Sequence, residues 1–362
     1  MPDRRSLTAS HRLGAREVSR GPPAPRSSCV ARTALDNLPM NRATLERHQV
    51  WIYLVAIAIG LGVGSAWPAL QAGMEALLWP TLTLLLFVTF VQTPLHHVHA
   101  AFGDRRFLSA VLIGNFLLMP LVAWTLLPWL PADPALRIGV LLVLLVPCTD
   151  WFITFSQLGG GNLPRAIAVT PLNLLLQLVL LPPWLWLIVG TDQLPKLEPT
   201  DLAPALAIVG VPLALAAATE RWIEARAERD GLREQLAWWP VPLLAIVVFQ
   251  IAGAQVSAVR DASTILAGVV PVFVAFLIAA ALLAKLLARW MALPVDQGRT
   301  LAFSLGTRNS FVVLPFALTL PPGWEAASLV IVVQSLVELL GMVLFLWWLP
   351  RRLFPAAGEA TP

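Results

Sequence analysis

The chain predicts an all-α polytopic membrane protein: ten transmembrane helices in two five-helix halves of inverted topology, with the fourth and ninth helices interrupted. Three observations carry this expectation. Of 362 residues, 57% are hydrophobic and only 13% charged, with a mean hydropathy of +0.74. A soluble domain carries about 25% charged residues, so a soluble globular enzyme is disfavoured. Ten stretches are long and apolar enough to cross a bilayer, each needing about 20 residues. Polar side chains inside two of those stretches gather where the helix is interrupted. Thirty-one prolines and 22 glycines fit a membrane interior, where neighbouring helices and trapped water re-satisfy freed backbone groups. Two cysteines, Cys29 and Cys148, exclude a disulfide scaffold.

Residues 1–48 form an Arg- and Pro-rich extension expected to be disordered. It lacks the apolar core of a secretory signal. Met40, in Met40-Asn-Arg-Ala-Thr-Leu-Glu-Arg, is an alternative start that runs straight into the first span. Spans at 49–67, 76–95, 107–130, 136–157 and 164–190 make a first repeat over 49–190. Residues 191–236 hold an outer loop, the span 201–219 and a charged linker expected to form a short surface helix. Spans at 237–256, 265–288, 299–320 and 326–349 complete a second repeat over about 201–350, and 351–362 is a tail. With both termini in the cytoplasm of a cell-membrane protein, eleven arginines fall in the short inside loops and C-terminal end. Only Arg137, Lys196 and Arg260 fall outside. That asymmetry fixes the expected orientation.

Five is odd, so the second half enters from the opposite face, an arrangement typical of secondary transporters. Internal similarity is weak but ordered. Val146-Pro-Cys-Thr-Asp-Trp-Phe-Ile-Thr-Phe in the fourth span matches Ser304-Leu-Gly-Thr-Arg-Asn-Ser-Phe-Val-Val in the ninth, with Asp150 against Arg308. In the next spans Asn173 and Gln177, four apart and on one helix face, match Gln334 and Glu338. Trp184-Leu-Trp186 then matches Phe345-Leu-Trp347. Interrupted helices in matching positions of two halves mark a substrate site.

Ionisable groups inside a bilayer are costly and point to function. Asp150 and Arg308 are a cation or proton site, or a buried ion pair that locks the halves together. Glu338 has no cationic neighbour within a turn of its own helix. It is a proton carrier or a hydrogen-bonded brace. Cys148 is a packed apolar residue or a ligand for a soft, thiophilic species. Gln92, Asn115, Asn173, Gln177, Asn309 and Gln334 line a cavity or bond between helices. Lys285 snorkels at a helix end. His96, His97 and His99 lack the Cys or carboxylate cluster of a metal site beyond Asp104. The chain has no GxxxxGK[ST], HExxH or GxSxG motif, so neither ATP-driven pumping nor hydrolase chemistry is expected. No cofactor, metal or nucleic acid is expected.

Pro147-Cys148-Thr149, the break Thr307-Arg308-Asn309-Ser310 and Glu338 together resemble the arsenical-resistance permeases of the bile acid:sodium symporter superfamily. The resemblance covers about 45–353. It implies helices four and nine that cross at their breaks, and a separation into panel and core. It assigns the export roles to Cys148 and Glu338. The residues' own placement in the spans adds Thr149, Thr307 and Asn309 as expected substrate neighbours of Cys148, and Asp150, Arg308, Gln334, Asn173 and Gln177 as expected coupling residues with Glu338. It implies export of arsenite, or antimonite, in exchange for protons. The alternative is sodium-coupled symport of an organic anion. Two departures stand out: Asp150-Trp151 replaces small apolar residues after Pro-Cys-Thr, and Arg308 stands in a break otherwise rich in Asn. The implied partners are a small inorganic or organic solute, a coupling proton or sodium, and lipid.

Overall fold

The computed structural model describes residues 42–93, 101–149, 151–190, 199–254, 256 and 263–355. Met40, Asp150 and the three histidines 96, 97 and 99 lie outside the described residues. Within them every regular element is helical apart from one isolated bridge. The helices are α1 Arg42–Ala66, α2 Gln71–Val91, α3 Arg105–Trp129, α4 Pro134–Leu144, α5 Trp151–Leu158, α6 Leu163–Val189 and α7 Pro199–Glu224. After them come α8 Asp230–Leu236, α9 Pro240–Ala254, α10 Ser263–Trp290, α11 Val295–Gly306, α12 Ser310–Leu318 and α13 Ala326–Trp348.

Seven helical stretches among the described residues are long and apolar enough to span a bilayer, and the chain is a polytopic helical membrane protein. The apolar part of α1, Trp51–Ala66, is shorter. The expected fourth and ninth spans are each divided in two, as α4 with α5 and α11 with α12. Large apolar side chains such as Leu215, Ile278, Leu282 and Val343 are exposed, as a lipid-facing surface requires. The first helix begins at Arg42 rather than at 49. The expected linker helix is split: α7 continues to Glu224, and α8 follows a short turn.

Local chemistry sets the helix starts. Asp104 accepts from the Phe107 N–H at 3.1 Å and opens α3. Asp133 accepts from Ala135 and Leu136 at 2.8 and 3.2 Å, and Pro134 supplies a pre-set first turn. Asn162 accepts from Arg165 at 3.1 Å and opens α6, which Gly190 ends at φ 75°. Those caps are tied together. The Asn162 amide donates to Asp296 at 2.6 Å, Gln297 donates to Asp104 at 2.9 Å, and Arg165 lies 3.4 Å from Asp104. The starts of α3, α6 and α11 are thereby fixed to one another.

The helices pack in two groups. In one, α2 lies against both α9 and α7. There α1 meets α9 with almost no side chain between them. A methyl added at Gly60 would collide with the Phe249 carbonyl, and one at Gly64 with the Gly253 carbonyl. Small residues allow such backbone contact between membrane helices. In the other group α13 packs on α4 and α10, and α10 on α11. The groups meet where α12 lies against α7, and where Tyr53 of α1 stacks on Trp151 of α5 at 6.3 Å between ring centroids. Trp151 also meets Phe311 of α12 edge-on at 5.6 Å.

Candidate functional site

Both divided helices break for sequence reasons. Pro147 has no N–H to continue α4 and pushes Val146 out of helical conformation. In the other, α11 stops at Gly306, Thr307 is extended at φ −100° and ψ 141°, and the Asn309 side chain accepts from Val312 N–H at 3.4 Å to open α12. The freed backbones pair with each other. Pro147 and Arg308 form an antiparallel bridge, in which Cys148 N–H donates to Thr307 O at 3.2 Å and Asn309 N–H to Val146 O at 2.8 Å. Unwound backbone buried in a membrane needs such partners. The two breaks therefore touch.

Side chains extend the bridge. Asn309 donates to the Thr149 hydroxyl at 3.1 Å. The Ser310 hydroxyl donates to Gln334 at 2.9 Å, and Gln334 donates to Glu338 Oε2 at 2.7 Å. The same oxygen accepts the backbone N–H of Arg308 at 2.7 Å. Glu338 is therefore held by another broken helix, although its own helix offers no cation within a turn. The Arg308 guanidinium turns the other way. Nη2 donates to Asn115 Oδ1 at 2.9 Å, to Leu305 O at 2.6 Å and to Ser304 O at 3.2 Å, while Nη1 donates to Leu144 O at 3.3 Å. The Phe276 ring lies 5.2 Å from its central carbon. Asn115 sits on a π-helical turn of α3, Gly114–Leu118, and donates to Ser304 Oγ at 2.9 Å. Such turns widen a helix and are frequent at functional sites.

Cys148 and Arg308 are each 2% exposed and Glu338 1%, so the cluster is closed to solvent. The structure thus joins Cys148, Thr149, Thr307, Arg308, Asn309, Gln334 and Glu338 around one bridge. Asn173 and Gln177 are buried on α6, and none of their four side-chain polar atoms has a hydrogen-bond partner among the described residues. No bond joins them to the bridge. Asp150 lies outside the described residues, so its pairing with Arg308 stays an expectation. Lys285 does not simply reach for water: its ammonium donates to the Leu353 carbonyl and lies over the Phe354 ring. Sequence reasoning assigns Ser304 and Ser310 no role of their own, although both stand in the run around Arg308. Their signal was position, one helical turn before Arg308 and directly after Asn309 in the same polar run.

Chemically the cluster offers three things. It has a thiol in unwound backbone, a carboxylate on a ladder of amides, and a fixed cation wrapped in carbonyl oxygens. Outside the spans, Asp104 is held below the usual carboxylate range. Burial pushes it up, but bonds from Phe107 and Gln297 and the charge of Arg165 outweigh that.

No curated protein matches the chain significantly in sequence. The model of one family matches residues 79–262, which run from α2 past the first break and end before the second. That match spans just over half of the chain, and its region contains the Pro147–Thr149 break on which the bridge is built: the chain belongs to the sodium bile acid symporter family.

Proposed function

We propose that the chain is a secondary transporter that exports arsenite, and antimonite with it, in exchange for protons. Its ten crossings, two of them broken, form two inverted five-helix repeats, with both termini cytoplasmic. The observation that carries the reading is the buried Cys148 thiol, set in the non-helical segment that bridges two half-helix breaks and shared with the Glu338 network. Arsenite at neutral pH is the uncharged As(OH)3, a soft centre that suits sulfur. The Cys148 thiol condenses with As(OH)3 to a Cys–S–As(OH)2 adduct and one water. The reverse hydrolysis frees it. One thiol gives weak, reversible capture, as transport requires. Glu338 takes up and gives back the exchanged proton, with Gln334 and the Arg308 N–H holding its carboxylate. Asp150, Asn173 and Gln177 are assigned to the same coupling path. Thr149, Thr307 and Asn309 hold the segment that carries the thiol.

Membership of the sodium bile acid symporter family also admits a second reading, sodium-coupled uptake of an organic anion. One experiment separates them. Everted membrane vesicles are loaded with arsenite under an imposed pH gradient, for the intact chain and Cys148→Ser. Gradient-driven accumulation that the serine variant loses is expected. Absence of accumulation in vesicles shown to contain folded protein would reject arsenite, and sodium-driven uptake of an organic anion would then be measured in the same membranes.

A further inference from the structure

Half-helix C-terminal ends and unwound carbonyls are where secondary transporters hold a coupling cation. Both such ends are present here, and both are already filled. Leu144 is the last residue of α4, and Ser304 and Leu305 lie in the last turn of α11. Carbonyls in those positions have no partner inside their own helix. Each helix end also carries a partial negative charge of roughly half an electron. All three carbonyls, together with Asn115 Oδ1, accept from the Arg308 guanidinium at 2.6 to 3.3 Å. The aromatic face of Phe276 closes one side. Arg308 is 2% exposed, and its guanidinium has as its shell the oxygen set that a bound monovalent ion would have.

We infer that Arg308 is a tethered cation that takes the place of a soluble coupling cation at this crossing, so that the chain binds no coupling sodium. The inference rests on the secondary-transport reading above. Guanidinium suits the part: it is planar, permanently charged and carries five N–H donors. A tethered cation cannot leave with the cargo. A site that holds one must draw its coupling from a group that does exchange, and Glu338, bonded to the Arg308 backbone N–H, is the adjoining one. Substituting Arg308 by a small residue would leave two negative helix ends and an amide oxygen facing the vacated space.

The test needs no transported substrate. Purified full-length protein is melted in sodium, potassium or N-methylglucamine chloride at matched ionic strength. The intact chain is expected to melt at one temperature in all three. Arg308→Ala is expected to melt lower and to regain stability saturably with sodium or potassium, and also with millimolar guanidinium. Arg308→Lys keeps the charge and is expected to be indifferent to sodium, which decides the matter should the alanine variant not fold. Saturable stabilisation of the intact chain or of Arg308→Lys by sodium would overturn the inference. So would a folded Arg308→Ala that ignores all three cations. Failure of arsenite transport would leave these melting results standing, and the reverse also holds.

Discussion

Glu338 and Cys148 are the two side chains at which the proposed chemistry can be separated from the architecture. Glu338 Oε2 accepts two bonds, from Gln334 and from the Arg308 backbone. Glutamine at 338 can place its carbonyl oxygen where Oε2 lies and accept both, but it cannot carry a proton. Glu338→Gln is therefore expected to reach the membrane at normal levels, retain the fold and lose gradient-driven accumulation in everted vesicles. Unimpaired accumulation would remove Glu338 from coupling. Cys148→Ser is nearly isosteric, though more polar, at a site that is 2% exposed, and it is expected to lose arsenite transport while its melting temperature stays close to that of the intact chain. A large loss of stability would place Cys148 in packing instead. The sequence showed these residues because ionisable and thiol groups stand out in apolar helices. It did not show what holds them. One partner of Glu338 is a backbone N–H, that of Arg308, freed because α11 ends at Gly306, and no side-chain pattern announces such a donor.

Elements were legible to the extent that periodicity and breakers mark them. Pro147 and the Gly306-Thr-Arg-Asn-Ser run announced both breaks, and both appear as divided helices. The π-helical turn at Gly114–Leu118 was hidden, because one Gly and one Asn leave an apolar run intact. That turn places Asn115 against Arg308, so a feature of the candidate site lay in a helix that looked regular. Capping is similar: Asp104 was visible as a carboxylate near the histidines, whereas its role tying α3 to α6 and α11 needed the three starts to converge. Its carboxyl is held low in the folded state, so the charge stabilises the fold above about pH 4, and that contribution fades as pH falls through the folded value. Asp104→Asn should keep the cap and flatten the acid side of a melting-temperature profile. Asp104→Ala should also lose about 1 kcal/mol of cap stabilisation. An unchanged acid limb in both would deny the ion pair any part in stability. At the α1–α9 contact, Gly64→Val has nowhere to put its side chain against the Gly253 carbonyl. A cost of about 1–3 kcal/mol is expected, read as a lower melting temperature. Gly62→Ala, with open space around it, serves as the control.

At the scale of the molecule, a cluster closed to solvent cannot be the state that takes up or releases solute. The two helix groups meet beside it, through Tyr53, Trp151 and Phe311. Trp151 opens α5 and Phe311 lies in the first turn of α12, so the joint runs along the second halves of both broken helices. Rocking of one group against the other is the usual route to alternating access, and here it would have to part the Tyr53–Trp151 stack, with Trp151 moving as one body with the bridge. Cys148 reports on this directly. The chain has two cysteines, so Cys29→Ser leaves a single thiol in the bridged segment. In resting vesicles that thiol is expected to react slowly with maleimide, as its 2% exposure implies. An imposed pH gradient is expected to speed labelling, and arsenite to suppress it. Trp151→Ala removes the ring that stacks on Tyr53 and meets Phe311, and it is expected to raise the resting rate and blunt the response to the gradient. A labelling rate that is fast at rest and unmoved by gradient, arsenite or Trp151→Ala would mean that the bridge is a static, accessible element, and that the two groups do not rock about it.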